Sequence, residues 1–341
     1  MLVPSKTIEE HDRRFGGVIM IEIKNLETGL TYTDFVSGIT PKIPTWLICS
    51  NPNKDELLTI QQTFGIPWED LEDALDEDER PRLELEPDHD PPFLKLVLRV
   101  PALEDIEKED GSVFQPTTHP AVMFLTEHHL ITVQSAKIKT KRIRKPISGR
   151  RKRPTPTILV LLDYLESVVK SFELKVDIID RELERVESVI FQSIRSSSIE
   201  KVFHLSRDTT YLDAALRGNL KAFYSLKKAP QFAERSELLD DLEDLAIDLQ
   251  QQADLLRIYR DLIESSLDAF ASVISNNQND LLKVLASISL ILMVPTLIAS
   301  LYGMNLGLPF ADHPFAFWII LILSIILIIP IWIYLKKVDL L

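Results

Sequence analysis

The chain has 341 residues, 45% hydrophobic and 26% charged, with a formal net charge of −13. That acidity argues against nucleic acid as a main partner, and the single cysteine, Cys49, excludes an intrachain disulfide framework and fits a reducing compartment. Two long uncharged runs near the C-terminus mark a membrane-anchored chain, and the remaining ~280 residues are enough for one or two domains with real cores.

Met1–Gly17 is charged and polar and reads as a flexible tail (residues 1–17). Val18–Ile23 and Trp46–Cys49 predict short strands. Lys54–Phe64 has helical spacing, with Asn53 as its N-cap and Gly65 as its stop. Pro67 stands ahead of Trp68–Leu75, where proline favours a helix start. Leu83–Leu85, Phe93–Val100, Ala121–Leu125 and Leu130–Gln134 predict strands between proline- and acid-rich turns, with His128 and His129 in a hairpin turn. Helices mixed with a largely antiparallel sheet predict an α+β or α/β domain, bounded here at residues 18–155.

Lys137–Arg153 carries ten basic residues and no acidic one. It reads as a solvated loop, as an internal partner for an acidic protein, or as an attractor of anionic lipid; without interleaved aromatics it does not read as a base-stacking surface.

From Pro156 the period becomes helical, over Thr157 to about Arg195 and again over Ile199–Lys228. Gln231–Val294 contains neither Gly nor Pro, and a helix unbroken to Tyr302 would be on the order of 100 Å long. Residues 156–280 therefore predict a helical hairpin and a long stalk helix, supported by partner copies and the preceding helices. The upper stalk carries Glu234, Glu237, Asp240, Asp241, Glu243, Asp244, Asp248 and Asp254, offset only by Arg235. These carboxylates fit a solvated face. In a ring of identical chains they would repel, and a hard divalent cation such as Mg2+ or Ca2+ would relieve the repulsion.

Residues 281–341 predict a transmembrane hairpin. Val284–Tyr302 has no charged residue and covers about 28 Å, and Phe315–Leu335 covers about 31 Å, both near the ~30 Å hydrocarbon core. Soluble helices seldom stay apolar all round for this length. Lys283, Lys336 and Lys337 flank the spans, and the loop Gly303–Pro314 has no Lys or Arg, which puts both chain ends in the cytoplasm of a multi-pass cell-membrane protein. On the first span, Asn279, Leu282, Ala286, Ser289, Met293, Thr296 and Ser300 recur at three- and four-residue steps, a single helical stripe of small and polar side chains. Close helix packing and a pore lining both fit that stripe. A two-helix hairpin encloses no water alone, so a pore requires a ring of chains. The fold class expected is an α+β membrane protein: an N-terminal cytoplasmic α/β domain, a long helical stalk and two C-terminal transmembrane helices.

No His/Cys set has zinc-ligand spacing, no Gly-rich loop cradles phosphate, and no nucleophile–base motif stands out, so an enzyme is not expected.

Tyr302-Gly303-Met304-Asn305 closes the first span; Ser275-Asn276-x-x-Asn279-x-x-x-Lys283-Val284-Leu285 and Met293-x-Pro295-Thr296-x-Ile298-Ala299 precede it. With both spans and the basic end, the chain resembles the CorA family of Mg2+ channels, from about residue 40 onward. The resemblance implies a homopentamer in the lipid bilayer that passes Mg2+ passively, with Gly303, Met304 and Asn305 as selectivity filter and Asn279, Leu285, Met293, Thr296 and Ser300 lining the pore. It also implies regulation by cytoplasmic Mg2+ at acidic residues between a stalk helix and a neighbouring N-terminal domain. By motif those are Asp244 and Asp88 or Asp90, the latter pair after Glu79-Arg80-Pro81-Arg82-Leu83-Glu84, with Asp177 on the first long helix. Two departures stand out: Asp312 is the only acid in the outer loop, and Ser300 stands where many relatives have Gly. Related zinc transporters of the ZntB type, Co2+/Ni2+ carriers and a non-conducting scaffold or sensor are the alternatives; Met304 and the lack of soft ligands favour Mg2+.

Overall fold

The computed structural model describes residues 21–33, 42–102, 118–135, 138, 156–190, 196–233, 235–304, 307, 309, 314–338 and 340. The expected tail, nearly all of the basic segment 137–153, and Asn305 and Asp312 lie outside the described residues. The chain divides into two compact units, Met1–Ser188 with Glu200–Glu264, and Val189–Ile199 with Ser265–Leu341.

The first unit is built on a seven-stranded sheet. In chain order its elements are β1 (Ile21–Asn25), β2 (Thr31–Tyr32), β3 (Thr45–Ser50), α1 (Lys54–Phe64), α2 (Trp68–Glu72), β4 (Arg82–Glu86), β5 (Phe93–Pro101), β6 (Thr118–Leu125), β7 (His129–Gln134), α3 (Pro156–Ile190), α4 (Ser196–Leu226), the short α5 (Pro230–Ala233) and the first part of α6 (Ser236–Tyr302). The strands lie in the order β2-β1-β3-β7-β6-β5-β4; only β3 and β7 pair in parallel, in register from Thr45–His129 to Ser50–Gln134.

Both faces of the central strands are covered, which explains why they read as continuous apolar runs rather than alternating ones. On one face Leu47, Val122, Phe124, Ile131 and Val133 meet Leu57, Ile60 and Phe64 of α1 and Leu71 of α2. On the other, Trp46 meets Tyr164 of α3 edge-to-face with ring centroids 6.5 Å apart, and the Tyr164 hydroxyl donates to Gln134 Oε1 at 2.8 Å. Full burial pushes that phenol above its ordinary range.

Local signals hold where they are chemical. The Asn53 side chain accepts from Glu56 N at 2.9 Å and the Glu56 carboxylate accepts from Asn53 N at 2.8 Å, a capping box. Gly65 ends α1 at φ 72°, where a side chain would be strained. Three details differ from expectation. The helix started at Trp68 tightens at Asp73–Leu75 into a 3-10 turn, where the Asp73 carboxylate bonds Lys95 and Arg82. β6 begins three residues early, at Thr118, because its Pro120 sits opposite Arg99 and masks the strand pattern. His129 is the first residue of β7 rather than part of a turn, because its buried ring bonds the Thr45 hydroxyl opposite it.

The second unit contains the C-terminal part of α6 and α7 (Ala316–Lys337). α6 is one helix of 67 residues, about 100 Å at the standard rise. Both α6 and α7 contain an 18-residue stretch long and apolar enough to cross a membrane, with mean hydropathies of 2.3 and 2.8.

Candidate functional site

In the first unit, Asp88 and Asp90 stand exposed in the turn that joins β4 to β5. Asp244 is exposed on α6, on the side away from the buried row Leu238, Leu242, Ala246 and Leu249. Asp177 is exposed on α3, next to Asp180 and near Tyr259 of α6. Partial burial, a hydrogen bond with Asp180 and the carboxylates of Asp177 and Glu184 together hold the Tyr259 phenol above its ordinary range. Among the described residues no group of three or more His, Cys, Asp or Glu is arranged to hold a metal ion.

A carboxylate cluster does converge, on a cation the chain supplies itself. Lys95, the third residue of β5 and 1% exposed, donates to Asp70 and Asp73 at 2.6 Å each and lies 3.2 Å from Glu84. Arg82 bonds Asp73 at 2.8 Å and Glu84 at 2.6 Å and pairs with Glu79. Burial works against the charge of Lys95, but its hydrogen bonds to Asp70 and Asp73 and the charge of Glu84 overcome it and raise its pKa. The only sequence signal for this cluster is a lysine inside an otherwise apolar strand, Phe93-Leu-Lys95-Leu-Val-Leu.

In the second unit, Asn279, Leu282, Leu285, Ala286, Ser289, Met293, Thr296 and Ser300 are all exposed. The covered or half-covered positions of the same stretch are Ser287, Ile291, Val294, Pro295, Ile298 and Tyr302. At 3.6 residues per turn these two rows lie on nearly opposite sides of the helix. Ser287 is fully buried and donates to the Leu340 carbonyl at 2.6 Å, and the Tyr302 hydroxyl donates to the Pro309 carbonyl at 3.1 Å. On the exposed row, Ser289 and Thr296 donate back to the carbonyls of Leu285 and Leu292, at 2.8 and 2.7 Å. Pro295 has no N–H, so the carbonyl four residues earlier, on Ile291, loses its helical bond. A cleft of about 630 Å³ lies at the start of this stretch, lined by Asn276, Asn279, Asp280, Lys283, Ala286 and Leu340.

A family model described as CorA-like Mg2+ transporter protein matches residues 42–337, most of the chain. The chain belongs to the CorA family. A cobalt/magnesium transport protein CorA of Methanocaldococcus jannaschii is 28% identical over 297 residues, covering 86% of this chain and 89% of the relative. That of Thermotoga maritima is 26% identical over 266 residues, covering 77% and 73%. The solved complete structure of the Methanocaldococcus jannaschii CorA magnesium transporter superposes with a TM-score of 0.74 at 25% identity, covering 93% of this chain and 97% of that one.

Membership in the CorA family accounts for the mixed sheet, the long helix and the two apolar C-terminal helices of this chain. Gly303 and Met304 are described at the end of α6, and Asn305 lies outside the described residues. Among the described residues, Asp88, Asp90, Asp177 and Asp244 belong to no group of three or more such side chains arranged to hold a metal ion. The sequence reading missed Lys95, Tyr259 and the Ser287–Leu340 bond, none of which belongs to a motif.

Proposed function

We propose that this CorA-family chain assembles as a homopentamer in which five first spans enclose a passive path for Mg2+ across the cell membrane, with both chain ends in the cytoplasm. The observation that carries the reading is the exposed row Asn279, Met293, Thr296 and Ser300, turned away from the covered face of its own helix. Thr296 and Ser289 commit their protons to helix carbonyls, so oxygen lone pairs are what the row presents. Mg2+ sheds water reluctantly, and its hydration water donates outward, so acceptor oxygens suit the hydrated ion. Leu285 and Met293 form apolar constrictions that gate by dewetting, and Gly303, Met304 and Asn305 form the filter, with a ring of Asn305 carboxamide oxygens. The membrane potential supplies about 2.3 kcal/mol per charge per 100 mV, twice that for a divalent ion. Co2+ is a second cargo, as the names of the curated relatives suggest.

Asp244 of one copy and Asp88 or Asp90 of the next, with Asp177, bind cytoplasmic Mg2+ and hold the ring closed; when the sites empty, carboxylate repulsion loosens it. The test is flux into liposomes holding the purified protein, with internal Mg2+ varied. Uptake of Mg2+ at low internal Mg2+, suppressed as it rises, is expected. Vesicles that stay impermeable to Mg2+ and Co2+ would favour a non-conducting scaffold, and preferential Zn2+ entry in competition would favour a zinc carrier.

A further inference from the structure

β4 pairs with β5 only as far as Arg82–Val97, and Pro81 ends the ladder. The edge of β5 beyond Val97 is then open, and a helix takes it over. The Asn219 side chain of α4 accepts from Arg99 N at 2.9 Å and donates to Arg99 O at 2.8 Å, completing both backbone bonds that a longer β4 would have made. Asn219 is fully buried. Its neighbour Gly218 presses on Pro81 so closely that a Cβ there would fall 2.8 Å from the proline ring. The Arg99 guanidinium in turn bonds the carbonyls of Glu77 and Glu79 at 2.8 and 3.1 Å, and that of Thr118 at 2.6 Å.

The other end of the same hairpin is the turn carrying Asp88 and Asp90. The other neighbour of α4 is α6: Arg217, paired with Asp213, feels the charge of Asp254, and Lys227 just past the end of α4 pairs with Glu243, adjacent to Asp244. α4 therefore stands between the hairpin that holds one proposed set of Mg2+-sensing acids and the helix that holds the other.

We infer that the Asn219–Arg99 clamp, with the Gly218–Pro81 contact, is the joint that positions the β4–β5 hairpin against the stalk and so sets the cytoplasmic Mg2+ concentration at which the protein closes. Asn219 is a positioning residue: it touches no ion and acts through the placement of Asp88 and Asp90. The inference rests on the Mg2+-gated reading above. A loose joint lets the hairpin turn drift, so a carboxylate site shared with another copy forms only at higher Mg2+.

The experiment is Mg2+ flux by the full-length protein in liposomes, titrated with internal Mg2+, for wild type, Asn219→Ala, Gly218→Ala and Asp244→Ala. Asn219→Ala removes the clamp, and Gly218→Ala wedges the joint open while keeping the amide. Both are expected to raise the half-closing Mg2+ concentration about fivefold or more, the low end of ordinary coupling free energies, with flux at very low internal Mg2+ unchanged. A merely structural role predicts a lower melting temperature with the midpoint unmoved, and that result overturns the inference. Should Asn219→Ala fail to assemble, the midpoint is read instead from Gly218→Ala and from Asn219→Asp, which still accepts from Arg99 N but cannot donate to its carbonyl; an unmoved midpoint in both overturns the inference equally. If Asp244→Ala moves the midpoint and the joint variants do not, the joint alone falls. If wild-type flux ignores internal Mg2+, the gating reading falls and takes the joint with it.

Discussion

The two units of this chain solve the same problem, the disposal of apolar surface, in opposite ways. In the first, Leu57 and Ile60 are fully buried between helix and sheet, and even a lysine is taken inside with its carboxylates. In the second, Met293 is 60% and Phe317 69% exposed, and only 6% and 11% of the most apolar stretches of α6 and α7 are covered by the chain itself. The first unit encloses its sheet core with its own helices. The other leaves its apolar stretches uncovered by its own chain, as helices that face lipid do.

Four tests, using five substitutions, break or sharpen that contrast. Asn305→Ala should abolish Mg2+ uptake in reconstituted vesicles while the oligomer still elutes intact; normal uptake removes the carboxamide filter. Leu57→Ala should destabilise the first unit by about 2–5 kcal/mol in denaturant, whereas Ile325→Ala, exposed on α7, should cost much less in detergent. Equal costs would mean that α7 is packed as tightly as a soluble core.

The third concerns pH. Partial burial pushes Glu84 up, but the Arg82 hydrogen bond and the Lys95 charge outweigh it, so its carboxyl sits below the ordinary range. A folded value below the unfolded one of about 4.3 means the stabilisation is present above that pH and disappears as pH falls through the folded value. Glu84→Gln should therefore lower the melting temperature by a few degrees near neutrality, and the gap to wild type should close as pH falls below the ordinary carboxylate range. A gap independent of pH would deny the ion pair its role. The smallest effect is expected from Ser287→Ala, which removes the bond to the Leu340 carbonyl: about 1 kcal/mol, read as a melting shift in detergent.

Much of the molecule was legible in the residues themselves. Asn53 and Gly65 bound their helix because a side-chain oxygen and a missing Cβ act within a few residues. The spans and their polar row follow from hydropathy and a 3.6-residue period, both local properties of the chain. Tyr302-Gly-Met-Asn305 led to the family because it is a contiguous motif. What only the tertiary structure decided are the meetings of distant residues: the parallel pairing of Thr45–Ser50 with His129–Gln134, the carboxylates gathered on Lys95 from Asp70, Asp73 and Glu84, and the amide of Asn219 bonded to Arg99, 120 positions away. Periodicity cannot register such contacts, because whether a buried charge or amide is tolerated depends on partners that only folding brings within hydrogen-bond range.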